Sequence, residues 1–184
     1  VAALVLSINS SLTASEIKTI IVNSSDSRYL NAYEALKYTI ENYGATLGGI
    51  GDTVTFHEDI TIASGVTLTI QEGTEVVFEN GSRLIVNGTL NVNGTASNKV
   101  TFNFKSPSNY NGVKFYYGSS GTINNAVIKN AYYGVYIMNS TPTIKNSEIS
   151  NCTNGIHSFF NSPTIETNEI YNTTNYGIYA YDGS

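Results

Sequence analysis

The sequence predicts a mainly β protein, a parallel β-solenoid with coils of about 21 residues that follows a short α-helical segment. Three observations predict this fold. The last third of the chain repeats every 21 residues, the hydrophobic period changes from helical to two beyond residue 51, and short alternating segments are separated by Gly, Asn and Ser. Helical repeats need about 33 to 47 residues and propeller blades about 40, so a 21-residue repeat favours a solenoid.

Residues 1–43 have helical spacing. The opening run VAALVLSI has no capping residue before it, so we expect the true start of this helix to lie upstream. Thr13 and Glu16 fit a capping box at the start of a second helix. A third helix is predicted from about Asn31, and Gly44 stands where a left-handed residue commonly ends a helix.

The segment 44–51, GATLGGIG, is predicted to be a glycine-rich linker, and residues 52–184 to form the solenoid. In such a coil, residues of equal phase stack about 4.8 Å apart. The inward hydrophobic columns are predicted to be Ile123, Ile144 and Ile165; Ile128, Ile149 and Ile170; and Val113, Val135, Ile156 and Ile178. A third kind of column, Asn130, Asn151 and Asn172, is predicted to form a ladder of amide hydrogen bonds at an inward-facing bend.

These repeats also carry a resemblance. The pattern N-x-I-x-x-N…G-I-x, with the run GVTLTIQEGTEVVFENGSRLIVNGTLNVNGTASNKVTF, resembles the right-handed parallel β-helix repeats of the pectin-lyase-like fold over roughly residues 52–184. The resemblance implies the right-handed fold. It does not imply an activity, because this fold carries many functions.

The helical segment resembles a different family. VAALVLSINSSLTASEIKTIIVNSSD and LNAYEAL are similar to the last helices of a subtilisin-like (peptidase S8) serine protease domain. The resemblance implies that the Asp, His and Ser of the catalytic triad precede Val1, so no catalytic residue is assigned and the segment by itself should not hydrolyse peptides. A competing interpretation is that residues 31–43 simply cap the open end of the solenoid.

The resemblance implies a secreted or cell-surface endopeptidase whose partners are its protein substrates, with the solenoid as a rigid spacer or a module that recognises a polysaccharide or cell-wall polymer. The alternative is a non-enzymatic β-helix surface protein for adhesion or carbohydrate binding. The solenoid is expected to be truncated at its C-terminal end. No cofactor is predicted, although structural Ca²⁺ in the parent protease is compatible with the resemblance.

Composition excludes several classes of function. The net charge is −5, the pI is about 4.9 and charged residues make up only 12% of the chain, which argues against nucleic acid or an anionic membrane as partner. Cys152 is the single cysteine, so neither a disulfide framework nor a cysteine-based zinc cluster can form. VAALVLSI, at eight residues, is too short to span a bilayer.

The candidate ligand-binding residues follow the inward isoleucines. Tyr136, His157 and Tyr179, above Lys114, are predicted to form an outward column whose rings could stack on sugars; the alternative is an inert strand surface. A second outward column contains Val127, Glu148 and Glu169, and we interpret it as a solvated face rather than a catalytic carboxylate pair or metal site.

Overall fold

A computed structural model describes residues 1–25, 31–105, 110–160 and 162–181. Within these residues the chain forms three short helices followed by eighteen β-strands, arranged as six coils of three strands each. Every strand pairs in parallel with the equivalent strand of the next coil. The prediction of a parallel β-helix is confirmed.

The strands form three six-stranded parallel sheets. The first sheet contains β1 (Ala45–Leu47), β4 (Thr67–Gln71), β7 (Thr89–Asn93), β10 (Ser120–Asn124), β13 (Thr143–Lys145) and β16 (Thr164–Glu166). The second contains β2 (Thr53–Phe56), β5 (Glu75–Phe78), β8 (Val100–Phe104), β11 (Ala126–Lys129), β14 (Glu148–Ser150) and β17 (Glu169–Tyr171). The third contains β3 (Ile60–Ile62), β6 (Leu84–Val86), β9 (Gly112–Tyr116), β12 (Tyr133–Met138), β15 (Asn154–Phe159) and β18 (Tyr176–Tyr181).

The core of the solenoid consists of the predicted hydrophobic columns. Ile144 lies between Ile123 and Ile165 in register, and Ile149 and Ile156 occupy the same position in their own columns. The side chains of Ile144, Ile149 and Ile156 are fully buried. The predicted register of all three hydrophobic columns is therefore confirmed.

Three helices precede the first coil: α1 (Ala2–Ile8), α2 (Ala14–Asn23) and α3 (Ala32–Asn42). The predicted capping box is present, since the Thr13 hydroxyl accepts from the Glu16 backbone N–H and the Glu16 carboxylate accepts from that of Thr13. The Asn31 side chain caps α3. Gly44 has φ +77°, the left-handed conformation predicted for it.

Helix α3 covers the N-terminal end of the solenoid. Ile40 is fully buried in the solenoid core, and Leu36 packs against the same cluster. The Glu41 carboxylate accepts a 2.8 Å hydrogen bond from the backbone N–H of Thr61, and burial raises the pKa of this carboxyl group. These contacts are those expected of a cap, the interpretation that competes with a protease remnant.

The segment predicted to be a linker belongs instead to the first coil. Strand β1 lies within residues 44–51 and pairs with β4, and its residues Ala45 and Leu47 are buried. The expectation of a free linker is wrong at these residues because Ala45 and Leu47 already alternate as inward residues of a strand. The glycines on either side, Gly44 and Gly48, provide positive-φ turns that fit a strand of only three residues.

The asparagine corner also differs from the prediction. Asn130, Asn151 and Asn172 have φ of 65°, 53° and 54°, and both Asn151 and Asn172 are exposed, so the expected inward-facing bend is wrong. Asn is suited to this corner because it tolerates the left-handed conformation better than most residues. The side chains still bond along the axis, from Asn172 Nδ2 to Asn151 Oδ1 (3.4 Å) and from Asn130 Nδ2 to Asn103 Oδ1 (3.0 Å).

Candidate functional site

The predicted outward column lies on the third sheet. Tyr136 pairs in register with Lys114 on one side and with His157 on the other, and His157 pairs with Tyr179. The three ring-bearing residues are half-buried, whereas the strand residues on either side of Tyr136 and of His157 are buried in the core. The four side chains therefore form one continuous column along four coils.

An adjacent outward column, which was not among the predictions, lies two residues further along the same strands. Its members are Tyr116, Met138, Phe159 and Tyr181. The alternation of side chains along each strand already indicated this column, because the residue two positions after each predicted member must share its face. We call these two columns together the aromatic face.

The rings of the aromatic face pack against one another. His157 contacts Tyr179 edge-on, with centroids 4.6 Å apart and an interplanar angle of 81°, and it lies 4.7 Å from Phe159 at 33°. Such pairs stabilise by roughly 0.5–1.5 kcal/mol beyond their buried area. Exposure increases toward the last coil, where Tyr181 is 50% exposed. The rings thus form an apolar surface that is open to solvent at the last coil.

Lys114 differs from its prediction as an exposed outward residue, since only 3% of it is accessible. Its Nζ lies 5.2–5.3 Å from the ring centroids of Tyr110, Tyr133 and Tyr136, which cover the ammonium group. Burial lowers the pKa of Lys114 to about 8, and the nearby Arg83 guanidinium acts in the same direction. Because this pKa lies below that of the unfolded chain, the contribution of Lys114 to stability increases as the pH rises from about 8 to the ordinary lysine value of 10.5.

The surroundings of His157 favour its neutral form. Burial lowers its pKa, and its Nδ1 atom is buried with no hydrogen-bond partner among the described residues. On the strands that follow Lys114 along the solenoid, β12, β15 and β18, the other members of the two columns are Tyr, Phe and Met. That part of the aromatic face therefore carries no formal charge at neutral pH. This arrangement suits contact with an uncharged, partly apolar ligand.

The acidic column occupies the outer face of the second sheet. Glu148 and Glu169 are opposite each other in register, with Val127 in the preceding coil. Lys99 Nζ lies 2.5 Å from Glu148 Oε1, so a lysine partly neutralises the pair. In the part of the chain that the structure describes, no group of three or more His, Cys, Asp or Glu side chains is placed to hold a metal ion.

Cys152 is buried, and desolvation raises the pKa of its thiol. Its sulfur lies 3.2 Å from the carbonyl oxygen of Ser150. A buried thiol with a raised pKa is a packing residue rather than a nucleophile.

None of the described helices combines the length and the hydrophobicity needed to cross a membrane.

Comparison with known proteins identifies the solenoid. Residues 87–184, more than half of the chain, match the family model described as "Right handed beta helix region". Searches of curated proteins and of solved structures gave no match. The six parallel coils and the matched segment agree, and the right-handed fold that the resemblance implied is confirmed. The chain therefore belongs to the right-handed β-helix family.

Proposed function

We propose that the solenoid is a surface module that binds a polysaccharide or a related polymer, and that the aromatic face is its binding surface. The observation that carries this proposal is the pair of outward columns on β12, β15 and β18, whose members carry no formal charge at neutral pH. Sugar rings present apolar C–H faces edged by hydroxyl groups. Tyrosine matches both features, because its ring is apolar and its phenol can donate and accept hydrogen bonds.

The geometry favours a polymer over a small sugar. The aromatic face repeats along the solenoid axis once per coil, about every 4.8 Å, so it offers successive similar contacts to an extended chain. Weak contacts in series raise the overall affinity when one ligand can reach several of them. We therefore place the protein outside the cell or at its surface, where such polymers occur.

We expect the double substitution Tyr179→Ala and Tyr181→Ala to weaken retention on insoluble polysaccharides by about tenfold or more, because tyrosine is enriched among the few interface residues whose truncation costs about 2 kcal/mol or more. Retention on cellulose, chitin and peptidoglycan is measured by pull-down with the folded chain. Tyr171→Ala is the matched control, since Tyr171 is 40% exposed on the second sheet. Unchanged retention of the double variant on every polymer that binds the unmodified chain would refute this assignment.

We further propose that the helical segment is the end of a subtilisin-like catalytic domain, which the solenoid positions at its polymer. The supporting observation is a separate helical core. Val5, Ile20 and Ala35 are fully buried against one another, one from each helix, whereas a cap would need only α3. The order of SLTASEIK before LNAYEAL supports the same proposal.

The coding sequence upstream of Val1 tests this second proposal directly. We expect it to encode Gly-Thr-Ser-Met-Ala immediately before Val1, preceded by segments that supply the Asp and His of the triad. The measurement is sequencing of the complete gene, followed by peptidase assay of its product. An upstream sequence without this motif would contradict the protease proposal and would leave a non-enzymatic binding module.

A further inference from the structure

Lys114 is a buried cation without a hydrogen-bond or ion-pair partner among the described residues. Asp59, the acidic group that acts on it, is already paired with Arg83, whose Nε lies 2.7 Å from Asp59 Oδ2. A buried charge is costly unless other groups stabilise it. The charged form of Lys114 therefore depends on the aromatic rings around it.

Three tyrosine rings enclose this ammonium group. Tyr133 and Tyr136 belong to β12, whereas Tyr110 precedes β9, the strand of Lys114. All three ring centroids lie at nearly the same distance from Nζ, 5.2–5.3 Å. A cation attracts the faces of such rings, and the attraction is stronger where water is excluded. Lys114 is therefore placed to hold together rings from two separate parts of the chain.

Tyr110 is the most exposed residue of this cluster, with 62% of its surface accessible. The backbone next to it is fixed, because Asn111 Oδ1 accepts from the backbone N–H of Tyr132 at 2.6 Å and Asn111 O accepts from that of Tyr133 at 3.1 Å. Among the described residues, the ring interactions of Tyr110 are with Tyr132, at a centroid distance of 6.0 Å, and with Lys114. The orientation of the Tyr110 ring therefore depends strongly on Lys114.

The cluster adjoins the aromatic face. The ring centroid of Tyr133 lies 5.2 Å from that of Tyr136 and 5.1 Å from that of His157, and both of these residues belong to the face. Tyr110 therefore adds an exposed ring beside the end of the face at which Lys114 lies. In this position it can contact a sugar of a polymer that runs along the columns.

We propose that Tyr110 is a further ligand contact of the aromatic face and that Lys114 is its positioning residue. This inference rests on the proposed polymer-binding function. When the Lys114 amine is charged, it holds the three rings around it, and the binding surface includes Tyr110. When the amine is neutral, this attraction is lost and the Tyr110 ring is released from the surface, so the chain binds its polymer more weakly. Binding should therefore depend on pH through Lys114.

The other groups around Lys114 do not account for a change between about pH 7 and 9. The titratable and charged groups that surround it are Asp59, Arg83, Tyr110, Tyr116, Tyr133 and Tyr136. Carboxylates and guanidinium groups ordinarily keep their charge in this range, and free phenols titrate near about pH 10. Burial raises the pKa of Tyr116 and of Tyr133, and it raises that of Tyr136 to about 12. By contrast, burial lowers the pKa of Lys114 to about 8, and on β15 it lowers that of His157 below its ordinary value of 6.5.

The experiment measures retention of the whole 184-residue chain on cellulose, chitin and peptidoglycan between about pH 7 and 9. We expect retention of the unmodified chain to fall about fivefold over this range, with a midpoint near 8. Lys114→Arg should be retained equally at every pH, because its guanidinium group stays charged and stacks on aromatic rings. Lys114→Met should be as weak at every pH as the unmodified chain is at about pH 9, because Met fills the space without a charge.

Further variants test Tyr110 and a control position. Tyr110→Ala should lower retention about fivefold at the start of the range and flatten the pH profile, whereas Tyr110→Phe should preserve both because it keeps the ring face. Lys129→Met is the matched control, since Lys129 lies on the outer side of the second sheet and its loss changes the net charge equally. This control should bind as the unmodified chain does at every pH.

Melting temperature separates a positioning role from a general effect on the fold. Because the pKa of Lys114 is lowered in the folded chain, its contribution to stability increases with pH over this range. The melting temperature of the unmodified chain, relative to that of Lys114→Met, should therefore rise while retention falls. A relative melting temperature that falls together with retention would overturn the positioning role.

The inference is also overturned if the pH profile of the unmodified chain is flat, or if Lys114→Met or Tyr110→Ala is retained as well as the unmodified chain. If no polymer retains the unmodified chain at any pH, the proposed function fails, and Tyr110 as a ligand contact fails with it. The near-UV circular dichroism of the tyrosines, measured without a polymer, then decides the positioning role. This signal should weaken in Lys114→Met, and an unchanged signal would overturn that role as well.

Discussion

Replacing Gly121 with alanine is expected to disrupt the middle of the solenoid, at a cost of at least about 3 kcal/mol. Gly121 lies in β10, in the fourth coil, with φ +132°, a conformation that residues with a Cβ atom rarely adopt. An added Cβ would lie 1.9 Å from the carbonyl oxygen of Leu90. Leu90 is fixed in β7, whose backbone pairs with both neighbouring strands, so neither side can move without breaking the sheet.

Gly65→Ala is the matched control for this prediction. Gly65 also has positive φ, at +80°, but an added Cβ would meet no heavy atom within 4 Å. Its cost should be limited to backbone strain, roughly 1–2 kcal/mol. Urea unfolding followed by circular dichroism measures both variants. Equal losses in the free energy of unfolding in Gly121→Ala and Gly65→Ala would mean that the sheet adjusts its backbone at Leu90. Steric contact would then not be the cause of the loss.

The later coils were predictable because their length is constant. Ser119 and Ser140, whose hydroxyl groups lie 3.0 Å apart in adjacent coils, are separated by 21 residues. The earlier coils were less predictable, since Thr89 and Ser120, which are also neighbours between coils, are separated by 31 residues. The additional residues lie outside the strands that pair. A simple repeat search therefore finds the later columns and loses the earlier ones.

The site was predictable only in part. The alternation of strands placed Tyr136, His157 and Tyr179 on one outward column, and this position is confirmed. The burial of Lys114 was not predictable, because Tyr110, which helps to cover it, precedes the strand, and Tyr133 covers it from the next coil. Such contacts depend on how the rings orient in three dimensions. Period and composition carry no information about that orientation.

The asparagine corner shows the same limit. The recurrence of Asn130, Asn151 and Asn172 correctly marked a repeated feature, but recurrence alone does not distinguish an inward amide ladder from an outward left-handed corner. Both roles suit Asn, since it can hydrogen-bond along a stack and can tolerate positive φ. The exposure of Asn151 decides between them.

The second large effect is expected for Phe78→Ala. Phe78 is 1% exposed and lies between Phe56 and Phe104, with ring centroids 5.5 Å and 4.8 Å apart and an interplanar angle of only 12° to Phe104. Truncation removes a whole ring from the second coil and leaves a cavity that the flanking strands β2 and β8 cannot fill, because their register with β5 is fixed. The expected loss is about 3–5 kcal/mol.

Phe160→Ala provides the comparison, since Phe160 is 49% exposed and its removal should change stability by about 0.5 kcal/mol or less. Each variant is unfolded in urea and followed both by circular dichroism and by tyrosine fluorescence. A solenoid is stabilised by contacts between neighbouring coils, so a defect in the early coils should unfold them before the tyrosine-rich later coils. We therefore expect the two probes to separate in Phe78→Ala and to coincide in Phe160→Ala. Coincident transitions in both, with a loss below about 1 kcal/mol for Phe78→Ala, would show that the phenylalanine stack is not a principal source of stability.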